Sequence, residues 1–339
     1  MATIGMKELA KKLKLSTATV SKALRDSYDI SEKTKQRVLK LAHELNYVPN
    51  AHASGLRGKK SKTIAVVIPE VADSYFAQAI NGVETVAQKE GFHVLVYLTH
   101  EQVEKENLIL QELLNGRVDG VLISVTSQSK DVTTIDKLIS TGIPVVFFDR
   151  VFEGQGNGQI TTDDFDASYK LTVHLIEQAC KHIVFLLFSE SLNISTQRMN
   201  GYKRALHEYG FNFTENNLLI CTNQDQENKE SIYKLLARKD RPDAIIASVE
   251  KLIMPTYLAC MERNLVIPGN IRVAAFSNLV QAEILNPAIT TITQPAFEMG
   301  KTAADLLLKA LKGKPIDQEE SNVVLPSVLE IRNSTKTPF

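Results

Sequence analysis

The stretch LSTATVSKAL (residues 15–24) places Thr17, Ala18, Ser21 and Lys22 on one face of a short helical period. Small hydroxyls can bond base edges or phosphate oxygens, an Ala or Thr methyl can touch the thymine methyl, and an ammonium can reach guanine acceptors or a phosphate. Short side chains also let a helix sit deep in a major groove. Ser and Thr are mediocre helix formers in an interior, and a free surface helix is better served by Glu, Lys or Ala. A small helical module that docks on a protein is the alternative these residues leave open.

Charge points to a polyanion. The 339 residues are formally neutral, but residues 1–62 carry 14 Lys/Arg against 5 Asp/Glu, a net +9, and the remainder carries the matching −9. A compact basic head on an acidic body fits contact with nucleic acid. Three elements must hold the reading face in place. Met6, Leu9, Ala10 and Leu13 recur at helical spacing, so residues 6–13 form a first helix. Ser16 caps a second, with Val20, Ala23 and Leu24 on its inner face. Ser31 caps a third, with Val38, Leu41, Ala42 and Leu45 inside. Two short helices joined by a tight turn and braced by a third make a helix-turn-helix.

From Thr63 onward, apolar runs alternate with amphipathic stretches. Runs 63–69, 93–98, 118–125 and 144–149 read as strands, and 182–188, 218–221, 243–248 and 271–277 form a second series. Continuous β-branched and aromatic runs imply parallel strands buried on both faces by helices. Two such series predict two α/β lobes. The segment from TTIT through the helix near 296–311 is expected to return to the first lobe, with VVLP and SVLEIR as late crossing strands. The division is 1–48 for the head, 49–62 for a linker and 63–339 for the body. Lobe one takes about 63–160 plus 291–322, and lobe two about 161–290 plus 323–339. Open α/β sheets bind ligands at the carboxyl ends of their strands, and Arg198 lies at a helix start just beyond the strand HIVFLLF.

TATVSKAL, the Ser31-capped helix and NYVPNAHASGLR together resemble the lactose/galactose repressor (LacI/GalR) family of bacterial transcription factors, and the likeness runs along essentially the whole chain. It implies an all-α helix-turn-helix head on a periplasmic-binding-protein-like α/β body of two doubly wound parallel-sheet lobes. It also implies double-stranded operator DNA as partner, a small-molecule effector of carbohydrate type between the lobes, and a homodimer. Gly5 and Lys22 depart from the Thr and Arg usual at those places. Lys22 keeps the charge and gives up the planar bidentate fork. With Thr17, Ala18, Ser21 and Lys22, the DNA contacts implied in the head are Ser16, Arg25, Ser31 and Thr34. In the linker they are Asn50, His52, Ala53, Leu56 and Arg57. Leu56 matches the leucine of a hinge helix that wedges into a minor-groove base step.

The same likeness places effector contacts on Ser74, Tyr75 and Phe76 after the first strand, on Asp149, on Phe165 and on Arg198, whose R-x-x-G motif ends at Gly201. Val249, Asn278 and Gln294 complete the set. Tyr75, Phe76, Phe148, Phe165 and Phe276 are the candidates to stack on a sugar ring. Val249-Glu250 and Asn278 replace an Asn-Asp pair and an Asp. Of Asp163 and Asp164, one is read as a helix cap.

Other classes fit poorly. G-x-S-x-G, H-E-x-x-H, P-loop and G-x-G-x-x-G signatures are missing, so no enzyme is expected. Cys180, Cys221 and Cys260 are odd in number and far apart, so buried thiols in a reducing cytoplasm are expected, with no metal or cofactor. An exported solute-binding protein would share the body, but MATIGMKELAKKLKL has no leader-like apolar run, and such a protein needs no basic head. No stretch has the length and apolarity of a membrane span. A nucleoid-associated cytoplasmic regulator is the reading that remains.

Overall fold

The computed structural model describes residues 5–24, 26–45, 47, 61–152 and 154–336. Arg25, Asn50, His52, Ala53, Leu56 and Arg57, and with them the linker reading for 49–60, lie outside the described residues. The chain divides into two units, 1–61 and 62–339.

The head holds α1 (Met6–Leu13), α2 (Thr17–Ala23) and α3 (Glu32–Glu44). Lys14 closes α1 in the left-handed region at φ 56°, and the Ser16 side chain accepts from Thr19 N at 3.0 Å to start α2. Leu9, Ala10, Leu13, Val20, Ala23, Val38 and Ala42 form the buried core. Helix α2 buries only Val20 and Ala23. Its polar face is therefore spared for something other than packing. Ser31 has cap geometry at the start of α3, but its hydroxyl pairs with Thr34 Oγ1 at 2.9 Å instead of capping.

The body contains two six-stranded sheets. The first comprises β1 (Thr63–Ile68), β2 (His93–Leu98), β3 (Gly120–Ile123), β4 (Val145–Phe148), β5 (Gln159–Thr162) and a late strand, β11 (Asn322–Leu325). Their order is β11-β5-β4-β3-β1-β2, all parallel. Alternation along β1 explains the double winding. Ile64, Val66 and Ile68 pack toward α4 (Ser74–Lys89) and α11 (Ala296–Leu311), and Ala65 and Val67 toward α5 (Val103–Leu113) and α6 (Thr133–Ser140). A Cβ added to Gly82 would lie 2.1 Å from Phe297 O, and one on Gly300 2.0 Å from Ala79 O, so both glycines are demanded by the close α4–α11 crossing.

The second sheet comprises β6 (Ile183–Leu187), β7 (Leu218–Ile220), β8 (Ala244–Ala247), β9 (Arg272–Phe276), β10 (Thr290–Thr293) and β12 (Val328–Glu330), in the order β12-β10-β9-β8-β6-β7. Only β12 runs antiparallel. Helices α7 (Asp164–Glu177) and α8 (Asn193–Glu208) pack on one face, with α9 (Asp225–Leu236) and α10 (Ile253–Glu262) on the other. One apolar cluster joins both lobes, Val67, Ile123 and Val151 with Val184, Phe188 and Leu192.

Three expectations need correction, and one strand was not foreseen. TTIT does not return to lobe one: Thr290 pairs with Ala274 in the second sheet, and Ile292 is buried there, so the crossing falls between β10 and α11. VVLP belongs to lobe one, where Val323 pairs with Ile160. Short apolar strands suit either sheet edge, and only packing selects one. Strand β5 is short and half polar, QITT, so no apolar run marks it in the sequence. Strand β2 is not buried on both faces: it is an edge strand with Leu95 and Val96 43% and 42% exposed. Among the described residues, no helix is long and apolar enough to cross a membrane.

Candidate functional site

In the head, Thr17, Ala18 and Lys22 are exposed along α2, and Ser21 is half-buried beside them. The Ser16 hydroxyl is engaged at the cap and also shares a hydrogen with Thr19 Oγ1 at 2.8 Å. Lys22 is held by Asp29, and the ammonium holds that carboxylate below its usual range. The α2 face thus presents two small side chains and one cation restrained by a nearby carboxylate.

In the body, a cleft open to solvent lies between the lobes. Its lining comes from the carboxyl ends of strands in both sheets. Asp73, Tyr75 and Phe76 follow β1, and Asp149 and Arg150 follow β4. Ile194 and Arg198 follow β6, Val249 and Glu250 follow β8, Phe276 to Asn278 end β9, and Gln294 follows β10. Parallel strands deliver their loops to one edge, which is why residues 221 positions apart in sequence, Asp73 and Gln294, meet there.

Arg198 is the best-anchored polar group. Its Nε donates to Asp164 Oδ1 at 2.6 Å, its NH1 to Ser248 O at 2.6 Å, and its guanidinium lies 4.1 Å from the centre of the Phe276 ring. The remaining NH2 is buried with no protein hydrogen-bond partner. A buried donor without a partner costs about 1–3 kcal/mol, so this nitrogen favours a ligand acceptor. Gly201 explains the motif spacing: its missing Cβ would sit 2.1 Å from Phe165 O, so glycine lets α8 approach α7 closely enough for Arg198 to reach Asp164. Gly201→Val is expected to push the helices apart and cost at least about 1–3 kcal/mol, as overpacking does. A urea midpoint equal to that of the parent would contradict this.

Arg150 is paired with Glu101 at 2.6 Å, and both side chains are buried. Asp149 takes the left-handed conformation at φ 62°, an uncommon state for a non-glycine residue that turns its carboxylate into the cleft. Gln294 donates to Thr162 Oγ1 at 3.2 Å and approaches Asp149 Oδ1 at 3.5 Å. Asp73 caps α4 by accepting from Tyr75 N at 2.9 Å.

Burial pushes Asp73 up to about 7, with help from the Glu250 charge, and pushes Asp149 up to about 6 against the pull of Arg150 and Arg198. Both values exceed the reference of 3.8, so the folded state binds the extra protons. Stability from these groups is fully present below 3.8 and is lost as pH rises from there through about 6 for Asp149 and about 7 for Asp73. His174 acts oppositely. Burial lowers its value below 6.5, so its protonation opposes folding as pH falls. The thermal midpoint should therefore rise from pH 8 toward about 6.5. Asp73→Asn, which keeps the cap, should flatten that limb in a melting series. Identical profiles for the two proteins would refute the assignment.

Of the sequence-derived effector set, the cleft gathers Tyr75, Phe76, Asp149, Arg198, Val249, Asn278 and Gln294. Ser74 is a correction: it lies outside the lining, and its backbone N–H donates to Glu250 at 3.0 Å, because at the first residue of α4 that N–H has no partner within the helix. Phe165 is a correction: it lies outside the lining, 36% exposed, because α7 turns its carbonyl to Gly201 and its ring elsewhere. Phe148 is fully buried core beneath Phe76. Asp163 stands at the cap position of α7 without capping it, and accepts from Ser327 N at 2.6 Å where the chain crosses between lobes. Asp73, Arg150, Asp164, Ile194, Glu250 and Ser277 were not in the sequence-derived set. For Asp164, the need of a buried arginine for a carboxylate was the available signal.

Residues 61–334 match the family described as periplasmic binding proteins and sugar binding domain of LacI family, and residues 5–50 match bacterial regulatory proteins, lacI family. Catabolite control protein A of Priestia megaterium is 27% identical over 97% of this chain and 98% of its own. The lac repressor dimer bound to operator and an anti-inducer superposes with a TM-score of 0.84 at 23% identity, covering 99% of this chain and 100% of that one. The CelR–cellobiose complex superposes at 0.73 with 22% identity, covering 98% and 99%. A helix-turn-helix in a basic head, followed by a two-lobed body with a polar cleft, thus meets its sequence family, and the chain belongs to the LacI family of DNA-binding transcriptional regulators.

Proposed function

We propose that this chain is a cytoplasmic, homodimeric repressor whose two heads read a pseudo-palindromic operator and whose cleft binds a saccharide effector. The observation that carries the effector reading is the buried Arg198 guanidinium, which lines the cleft with Asp149 and Gln294, is anchored on two sides and has no protein partner for its third nitrogen. A sugar hydroxyl both accepts and donates, so it suits a site that pairs an unmet donor with carboxylate and amide acceptors. The CelR–cellobiose neighbour supports that ligand class. In this reading Thr17, Ala18, Ser21 and Lys22 touch base edges, and Ser16, Ser31 and Thr34 approach the backbone with Arg25. The linker residues Asn50, His52, Ala53, Leu56 and Arg57 add minor-groove contacts.

Dimerisation is supported by the edge strand β2, whose exposed Leu95 and Val96 form an uncovered apolar edge. Such edges are normally covered. A single small head also buries too little surface for adequate specificity. Effector binding changes the angle between the lobes, and coupling of about 1–3 kcal/mol alters operator affinity by roughly 5–150-fold. The test is selection of bound fragments from genomic DNA, followed by gel shifts on the recovered site with a saccharide panel. A discrete palindromic site whose affinity one saccharide changes is expected. Sequence-independent binding that no saccharide alters would overturn the reading.

A further inference from the structure

Glu250 opens a single 3-10 turn, Glu250–Leu252, directly after β8 in lobe two. Its carboxylate accepts three hydrogen bonds. Two come from its own lobe, from Ser277 Oγ at 2.7 Å and Asn278 N at 3.0 Å. The third comes from lobe one, where Ser74 N, the first residue of α4, donates to Oε1 at 3.0 Å. One carboxylate therefore spans the cleft, seated at the positive end of a 16-residue helix. Bonds to an ionised acceptor are roughly twice as strong as neutral ones.

Near the base of the cleft the lobes are also joined by the shared apolar cluster, by Val151 N donating to Asn193 Oδ1 at 3.0 Å and by Ser189 Oγ donating to Ser127 O at 3.2 Å, and two further contacts cross beside Glu250. Gln78 and Asn278 exchange hydrogen bonds at 3.2 and 3.1 Å, and Lys251 lies 3.6 Å from Glu70. The first pair is neutral and the second is solvent-screened.

We propose that Glu250 is the positioning residue that sets lobe closure, its carboxylate serving as a built-in anion that bridges the start of α4 and the Ser277–Asn278 turn. The inference deepens the regulator reading and rests on it for its consequence alone, since the bridge is tested without DNA. The full-length protein carries spin labels at Glu112→Cys in α5 and Lys234→Cys in α9, both exposed; the three native cysteines are buried. The inter-lobe distance is read by double electron–electron resonance. Glu250→Ala should lengthen and broaden the distribution. Added acetate should restore the parental distance in Glu250→Ala, have no effect on the parent, and not be replaceable by chloride at equal ionic strength.

Glu250→Gln, which keeps the shape and removes the charge, should also lengthen the distance, and it serves if the alanine variant fails to fold. An unchanged distance in the variants, or a lengthening that acetate does not reverse, overturns the bridge and leaves the regulator reading intact. Failure of the parent to bind any operator removes that reading and leaves the bridge standing.

Discussion

Arg198→Ala is expected to abolish the effector response and to cost the body about 3–5 kcal/mol, the penalty for leaving a buried charge without its partner. Arg198 and Asp164 lie 2.6 Å apart, and both side chains are only 3% exposed. Truncation strands the Asp164 carboxylate, which burial already pushes above its usual range against the pull of Arg198. A loss of response in that single variant therefore mixes ligand contact with folding. Arg198→Met combined with Asp164→Asn removes both charges while keeping most of the volume, so much of the lost stability should return. The response should not return, because the guanidinium that lines the cleft is gone. Urea unfolding and saccharide-dependent gel shifts on the parent, single and double variants read the two effects separately. A double variant that regains stability and still answers the saccharide would refute the assigned role.

Operator binding should weaken by about 10³–10⁵ between 50 and 200 mM salt, the range for 6–10 neutralised phosphates. That number of contacts is within reach of two heads that each carry +9 over residues 1–62. Lys22 supplies a separable part of this. Lys22→Ala should lower the salt slope by roughly 1 per head if it meets a phosphate, or relax one position of the site if it meets a base. In the free head Lys22 is tied to Asp29, a pair with 50% and 37% side-chain exposure. Exposed pairs of this kind contribute about 0–1 kcal/mol, so Asp29→Asn should tighten operator binding by no more than about fivefold per head. Filter binding across a salt series checks all three. A flat salt dependence would remove nucleic acid as the partner of the head.

The strand runs of both lobes were legible because two-sided burial leaves continuous β-branched stretches, and β1, β4, β6 and β9 fall where those runs stand. The head was legible for a related reason. Its core is local, and Leu9, Leu13, Val20 and Val38 keep helical spacing over a short span. The cleft was half legible. Tyr75, Asp149, Arg198 and Asn278 stand at strand ends that the pattern marks, whereas Asp164 reads as a cap and Glu250 as a departure from its family.

The amino-acid order alone determined most of the segments that become helix or strand, that a basic head precedes an acidic two-lobed body, and most of the strand ends that line the cleft. Those follow from periodicity, charge and the chemistry of caps, all properties of neighbours in sequence. Only the tertiary structure decided which sheet receives β10 and β11, that Asp164 is the counter-ion of Arg198, and that Glu250 reaches Ser74 across the cleft. Each depends on residues tens to hundreds of positions apart. Their meeting is set by how twisted sheets and close-packed helices share a core, and no local pattern records it.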